Sequence, residues 1–178
     1  FSLINGVFNR ETGLTAKTEL VDIYRKHPAG DFWAVTLRDF EEVRDNAGET
    51  FSGVTAYGPF WGRVERGGGT ERVFGELVTA GYFEVLGARP VVGRGFVPEE
   101  DATSGTHPVV VLGHRYWTAA FGADAGVVGR EIRLNGRSYT VVGVAPASFK
   151  GKMFPGAAVD VFVPLSMADH LAPGLGRS

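Results

Sequence analysis

Residues 79–146 read TAGYFEVLGARPVVGRGFVPEEDATSGTHPVVVLGHRYWTAAFGADAGVVGREIRLNGRSYTVVGVAP, and this stretch decides the fold. Near its end, the dipeptide Asn135-Gly136 separates two runs in which apolar and polar residues alternate. Asn-Gly is the preferred dipeptide of the two-residue type I′ turn, which joins antiparallel strands. The pattern therefore predicts a hairpin of residues 130–134 and 137–144. The register of such a hairpin gives one buried face to Ile132, Leu134, Tyr139 and Val141.

The rest of this stretch predicts a strand, two helices and a long connection. The continuous apolar run at residues 109–112 is typical of a strand that is covered on both faces. A helix over residues 114–121 should follow it and end at Gly122. A second, short helix should begin at Thr79 as its cap and stop at Gly87. Residues 88–108, which are rich in Gly and Pro, then form a connection.

Outside this stretch, the pattern again alternates between short strands and short helices. Thr36 and Asp39 resemble a capping box, which predicts a helix over residues 36–46. Ser166 with Asp169 has the same spacing and predicts another helix start. Apolar and glycine patterning predicts the strands 20–24, 54–57, 61–65, 72–78 and 159–163, with Gly67, Gly68 and Gly69 joining two of them. Together these elements predict an α+β domain in which the short helices pack on one side of a mixed sheet.

Composition excludes several classes of protein. The chain has 178 residues, 44% of them hydrophobic, which is typical of a globular domain with a sizeable core. Its 18 Lys and Arg against 20 Asp and Glu give a net charge of -2, so it lacks the basic excess of a nucleic-acid-binding protein. It has no cysteine, which excludes disulfides and thiolate sites.

The motifs of common active sites are incomplete. Gly93-Arg94-Gly95 lacks the third glycine of a dinucleotide fingerprint, and Met153 follows Gly151-Lys152 where a phosphate-binding loop needs Ser or Thr. The four histidines have no spacing typical of a metal site. Glu99, Glu100 and Asp101 after Pro98 are typical of a helix start, with calcium ligation as the weaker alternative. We therefore expect no catalytic residues, no metal and no cofactor in this chain.

Two apolar clusters lie where no core periodicity explains them. One consists of Phe60 and Trp61, and the other of Met153, Phe154 and Pro155, both among glycines and prolines. Apolar side chains left on a surface often mark an interaction site. These five residues are therefore the candidate contacts with a partner.

Three segments carry a resemblance to a known family. GELVTAGYFEVLGARPVVGRGF, HPVVVLGHRYWTAAFG and VVGREIRLNGRSYTVVGVAPASF occur in this order in the chain. Their YFEVLG, GHRYW and LNG-x-x-Y-T-V-V-G-V-A pieces are similar to those of the MacB-like periplasmic core domain of FtsX-type ABC transporter permeases. The resemblance covers about residues 36–165. Residues 1–8 resemble the end of that family's first transmembrane helix, and residues 9–178 the core domain, which normally continues beyond VDVFVPLSMADHL.

The resemblance implies an extracytoplasmic domain of an inner-membrane permease, with a porter-like subdomain and part of a second small subdomain. It implies a separate cytoplasmic ATPase, a permease dimer, and envelope partners such as an efflux adaptor or a lipoprotein. It supplies no catalytic residues, and the implied role is to couple ATP hydrolysis to those partners.

A different class of function stays open from the residues alone. A small secreted hydrolase or ligand-binding enzyme could assemble a site from distant residues such as His107, His114 and the acids at positions 99–101. A buried cluster of these side chains would favour this alternative, and their dispersal would weigh against it.

Overall fold

The structure is a computed structural model that describes residues 2–6, 20–23, 25–26, 32–33, 36–46, 51–152 and 157–173. The strands are β1 Ser2–Gly6, β2 Val21–Ile23, β3 Arg25–Lys26, β4 Phe32–Trp33, β5 Thr55–Arg66, β6 Gly69–Val78, β7 Val92–Gly93, β8 Val109–Leu112, β9 Glu131–Leu134, β10 Arg137–Val144 and β11 Val161–Pro164. The helices are α1 Leu37–Asp45, α2 Tyr82–Val85, α3 Pro98–Asp101, α4 His114–Phe121 and α5 Ala168–Leu171. In the described ranges, no helix has the length and apolar character needed to cross a bilayer.

Nine of the strands form one mixed sheet, which confirms the predicted α+β class. Strands β5, β6, β11, β8 and β10 are neighbours in that order, with parallel pairs β6–β11 and β8–β10. Strand β9 pairs antiparallel with both β10 and β5. Following the hydrogen-bonded neighbours therefore leads from β5 around six strands and back to β5. This closure leaves few free strand edges in that part of the sheet.

The Asn-Gly hairpin forms as the sequence predicts. Asn135 and Gly136 have φ angles of 49° and 80°, the left-handed values that a type I′ turn requires. Leu134 pairs with Arg137, and Ile132 pairs with Tyr139. The four side chains of the predicted face are all buried, at 6% exposure or less. Fully burying one such aliphatic side chain contributes about 1.5–3 kcal/mol.

Core side chains cover both faces of the sheet. In β8, Val110 and Leu112 belong to one hydrophobic cluster and Val111 belongs to another, so this strand is buried on both sides as predicted. Helices α1, α4 and α5 contribute to the first cluster, whereas α2 contributes Tyr82 and Phe83 to the second. The prediction that the helices pack on one side was wrong, because the apolar residues of both sheet faces need cover.

Three helix ends match the sequence signals. Thr36 and Asp39 form the predicted capping box of α1, in which the Asp39 backbone N–H donates to Thr36 Oγ1 over 3.1 Å. Helix α4 ends at Gly122, whose φ of 62° is left-handed. Gly87, at φ 63°, terminates the turn after α2 in the same way.

Three expected ends or breaks are wrong. Thr79 does not cap α2. Its hydroxyl instead bonds with the Thr55 hydroxyl at 2.7 Å and accepts from the Ala56 N–H, which ties β6 to β5. Ser166 lies in a single 3-10 turn and donates its hydroxyl to Glu100 O, so α5 begins later. The predicted strands 54–57 and 61–65 are one strand, because β6 pairs with β5 through Pro59.

Near both ends of the chain, and in the connection at residues 88–108, the observed elements differ in part from the predicted ones. Residues 2–6 form strand β1, which pairs with β2 and β5, rather than the end of a helix. The predicted strand 20–24 is present as β2, with residue 24 outside the described ranges. The predicted strand 159–163 is present as β11, which begins two residues later and ends one residue later. Within the predicted connection 88–108, the structure adds strand β7 and helix α3.

Candidate partner-contact surface

Neighbouring residues of β5 point to opposite faces, and this separates the first predicted contact pair. Phe60 is 4% exposed and belongs to the core, whereas Trp61 is 57% exposed. Side chains alternate along any strand, so two adjacent ring residues cannot share one face. The prediction that Phe60 is available to a partner is therefore corrected, and Trp61 remains accessible.

The Trp61 ring is exposed yet held by its neighbours on the outer face of the β5–β6 hairpin. Its centroid lies 5.0 Å from that of Phe74, which is directly opposite on β6. The Arg72 guanidinium carbon lies 4.2 Å from the ring centroid, a cation–π geometry. These contacts order the indole while leaving more than half of its surface to solvent.

Beside Trp61 lies an open cleft of about 750 Å³, between the hairpin and the Asn135-Gly136 turn. Arg63, Glu65, Thr70 and Arg72 also line this cleft. Asn135 fixes the turn to the strand, because its Oδ1 accepts from the Arg63 N–H at 2.8 Å and its own N–H donates to Arg63 O at 2.9 Å. Two hydrogen bonds therefore hold the Asn135-Gly136 turn, which lines one side of the cleft, to strand β5.

The second predicted contact group, Met153, Phe154 and Pro155, lies outside the described residues. The residue just before it is anchored, since the Lys152 N–H donates to Glu76 Oε1 at 2.8 Å. Contact between these three residues and a partner stays a prediction.

Glu76 is the polar residue that the sequence reasoning missed. It is fully buried at 0% exposure, on the same sheet face as Trp61, and its carboxylate accepts a hydrogen bond of 2.6 Å from the Tyr82 hydroxyl. Burial, followed by the charge of Glu76, holds the pKa of Tyr82 well above its usual value. A signal was available, because Glu76 interrupts the apolar run Val73-Phe74-Gly75 and Leu77-Val78 at a position where a charged residue needs partners.

A second carboxylate lies near the hydrogen-bond network that Glu76 forms with Tyr82 and Lys152. Asp22 on β2 has the Lys152 ammonium 3.9 Å away. Burial raises the pKa of Asp22, and the Lys152 charge opposes that rise. The pair joins β2 to the segment between β10 and β11, so its geometry supports a structural role.

Two of the three acids at positions 99–101, Glu100 and Asp101, have structural partners, whereas Glu99 is exposed. Glu100 accepts two hydrogen bonds from the Arg94 guanidinium, at 2.9 and 2.7 Å, and a third from the Val97 N–H. Asp101 accepts from the backbone N–H groups of Ala80 and Ser166. Pro98 begins α3, so the helix-start interpretation is confirmed.

The two histidines of the alternative hypothesis lie on different elements. His107 is exposed and bonds with the Thr106 hydroxyl at 2.8 Å. His114 begins α4 and meets the Trp117 ring edge-on, with 5.3 Å between the centroids. Among the described residues, no three His, Asp or Glu side chains converge on a common metal position. The structure therefore does not bring the members of that hypothetical site together.

The Arg94–Glu100 contact gives a pH prediction. Burial would raise the pKa of Glu100, but the hydrogen bonds from Arg94 and Val97 outweigh it and leave the pKa below its ordinary value of 4.5. A depressed folded-state pKa stabilises the fold above pH 4.5, and this contribution is lost as the pH falls further. We expect Arg94→Gln to cost about 1 kcal/mol at neutral pH, since the guanidinium is half exposed, and to cost less in acid.

Urea denaturation of both proteins from neutral pH down to acid measures this difference. Arg130→Gln is the matched control, because its partner Asp124 is itself 48% exposed. A cost for Arg94→Gln that does not decline in acid would contradict the prediction.

Comparisons with known proteins agree with this fold. The family model of the MacB-like periplasmic core domain matches residues 1–176, which extends the resemblance seen in residues 36–165 on both sides. The periplasmic region of MacB from Actinobacillus actinomycetemcomitans is similar over 97% of this chain and 68% of that chain, with a TM-score of 0.62 and 18% identity. The extracellular domain of the noncanonic ABC-type transporter YknZ from Gram-positive bacteria is similar over 95% of this chain and 74% of that chain, with a TM-score of 0.60 and 16% identity. No curated protein sequence matches significantly.

At these identities the two structures show a shared fold, whereas the family match covers nearly the whole sequence. The resemblance inferred from the YFEVLG, GHRYW and LNG segments is confirmed. This chain belongs to the MacB-like periplasmic core domain family and is an extracytoplasmic domain of an ABC transporter permease.

Proposed function

We propose that this domain is a non-catalytic coupling element, which passes movement driven by the cytoplasmic ATPase to a partner in the cell envelope. The domain works in a permease dimer, without a cofactor of its own, and the partner is an efflux adaptor or a lipoprotein. Membership of an ABC transporter permease family supports this proposal, because such a permease works with an ATPase and a membrane-embedded part.

The observation that carries the proposal is that buried acidic side chains in the described residues serve structural hydrogen bonds. Glu76 and Asp101 each accept hydrogen bonds that hold one element against another, and Glu100 accepts hydrogen bonds from Arg94 and from the N-cap of its own helix. The closed path of six paired strands that begins and ends at β5, together with the hydrophobic core on both faces of the sheet, makes the domain a rigid body that moves as a unit. Trp61 is a large aromatic side chain that is 57% exposed and yet ordered by its neighbours. A rigid domain with an ordered, exposed aromatic side chain is better suited to transmitting movement to a partner than to catalysing a reaction.

Coupling predicts that the domain moves when ATP binds. Glu84 is exposed on α2, and this chain has no cysteine, so Glu84→Cys provides a single labelling position once any cysteines elsewhere in the permease have been replaced. Spin labels on the two copies in the assembled transporter should show different distance distributions in the ATP-bound and nucleotide-free states. Electron–electron double resonance measures these distances directly.

The control is the same labelled permease with an ATPase variant that cannot bind ATP, and its distribution should not respond to nucleotide. Identical distributions in the ATP-bound and nucleotide-free states of the active transporter would refute coupling through this domain.

A further inference from the structure

The outer face of the β5–β6 hairpin combines an ordered aromatic ring with exposed cations. Trp61, Arg63 and Glu65 alternate along β5, and Thr70 and Arg72 alternate along β6 on the same side. All five are exposed, whereas their strand neighbours Phe60, Gly62 and Val64 are buried. Strand β9 continues this face, because Arg133 lies opposite Glu65.

The charges on this face are unbalanced. Glu65 lies 3.7 Å from Arg133, so the acid of the hairpin has its own cation. Arg63 has no ion pair within the described ranges, and the Arg72 guanidinium packs over the Trp61 ring rather than against a carboxylate. Arg63, Arg72 and Arg133 outnumber the acids Glu65 and Glu131 on this face, so it is locally positive although the chain as a whole carries a net charge of -2.

We infer that the cleft beside Trp61 docks an acidic segment of a partner protein, an inference that rests on the coupling function proposed above. Arg63 and Arg72 offer planar guanidinium groups, which bind carboxylates with two parallel hydrogen bonds. Trp61 offers an apolar surface to the side chains between those carboxylates, and tryptophan and arginine are the residues that most often dominate binding energy at protein interfaces.

The dimensions of the cleft also fit a peptide segment. Its volume of about 750 Å³ is open to solvent along the hairpin, and the Asn135-Gly136 turn forms one wall. That wall is held by the two hydrogen bonds between Asn135 and Arg63, at 2.8 and 2.9 Å. A preformed wall lowers the entropy lost when a flexible segment binds.

The test uses the full permease with its ATPase in nanodiscs of neutral lipid. The probes are a short fluorescent peptide in which Asp and Glu alternate with Leu, and a counterpart with Lys at every acidic position. We expect fluorescence anisotropy to show binding of the acidic peptide alone, weakened by added salt. Trp61→Ala and Arg72→Gln should each weaken it at least about tenfold. Arg38→Gln is the control, since Arg38 is exposed on α1, which packs against the opposite face.

Equal binding of the two peptides would overturn the inference, as would acidic-peptide binding that survives both Trp61→Ala and Arg72→Gln. Binding to phosphatidylglycerol vesicles in place of the acidic peptide would overturn it in favour of a lipid surface. The distance measurement on labelled Glu84→Cys contains no peptide. Nucleotide-dependent movement without peptide binding therefore refutes this inference alone, whereas peptide binding without movement refutes the coupling function alone.

Discussion

Replacing Gly75 by alanine should lower the free energy of unfolding by about 3 kcal/mol or more. A Cβ atom at this position would lie 2.2 Å from Cζ and 2.3 Å from Cε1 of Phe60, far inside van der Waals contact. Gly75 pairs with Phe60 on β5 and with Val161 on β11, so its backbone is held from both sides. The Phe60 ring must therefore leave a site where it is 4% exposed.

Urea denaturation of the wild-type chain and the variant measures this cost, with Gly69→Ala as the matched control. Gly69 lies at the other end of the same strand, and its nearest neighbour would be Arg66 O at 3.8 Å, an ordinary contact. The double variant Phe60→Leu/Gly75→Ala should recover part of the loss, because leucine lacks the ring atoms that clash. A Gly75→Ala cost no larger than that of Gly69→Ala would contradict this account of the packing.

The same packing links the core to the contact surface. Phe60 and Trp61 are adjacent, so the buried ring fixes the backbone that turns the indole outward. Displacing Phe60 should therefore disturb the position of Trp61 as well. By leaving room for the Phe60 ring, Gly75 therefore helps to position Trp61, the residue that we propose binds the partner.

The sequence predicted best those elements whose determinants are local. The register around Asn135-Gly136 depends on one turn and on the alternation beside it, and both are visible in the printed residues. Helix α4 ends at Gly122 for an equally local reason. Such features need no knowledge of distant contacts, because the turn or cap residue alone fixes the backbone.

Features that depend on distant residues could not be predicted in this way. Gly58-Pro59 resembles a break, yet β5 runs through it because β6 supplies a continuous partner. The pairing of β5 with β9 joins Val64 to Leu134, and no local pattern indicates it. Within the candidate site, exposure was predicted for both Phe60 and Trp61. Only the continuity of β5 shows that adjacent residues there must face opposite ways.

The Glu76 network is the clearest case of long-range dependence, and it carries the second large prediction. Tyr82→Phe removes a hydroxyl that donates over 2.6 Å to a carboxylate with no solvent exposure. Loss of a donor to a buried charged group should cost about 2–3 kcal/mol, whereas the ring itself keeps its packing against Phe149 and Phe162. Tyr139→Phe is the control, since the Tyr139 hydroxyl bonds with His170 rather than with a buried carboxylate. Its cost should be nearer about 1 kcal/mol.

The pH dependence of this cost tests the same contact independently. The folded-state pKa of Tyr82 lies above its ordinary value of 10.0, because burial and then the charge of Glu76 disfavour the phenolate. The contribution of the tyrosine is therefore complete below pH 10 and is lost as the pH rises further. Urea denaturation at neutral pH and above pH 10 should show the difference between wild type and Tyr82→Phe shrinking in alkali. If that difference is constant with pH, or is no greater at neutral pH than the Tyr139→Phe difference, the Tyr82 hydroxyl does not hold Glu76 as the geometry indicates.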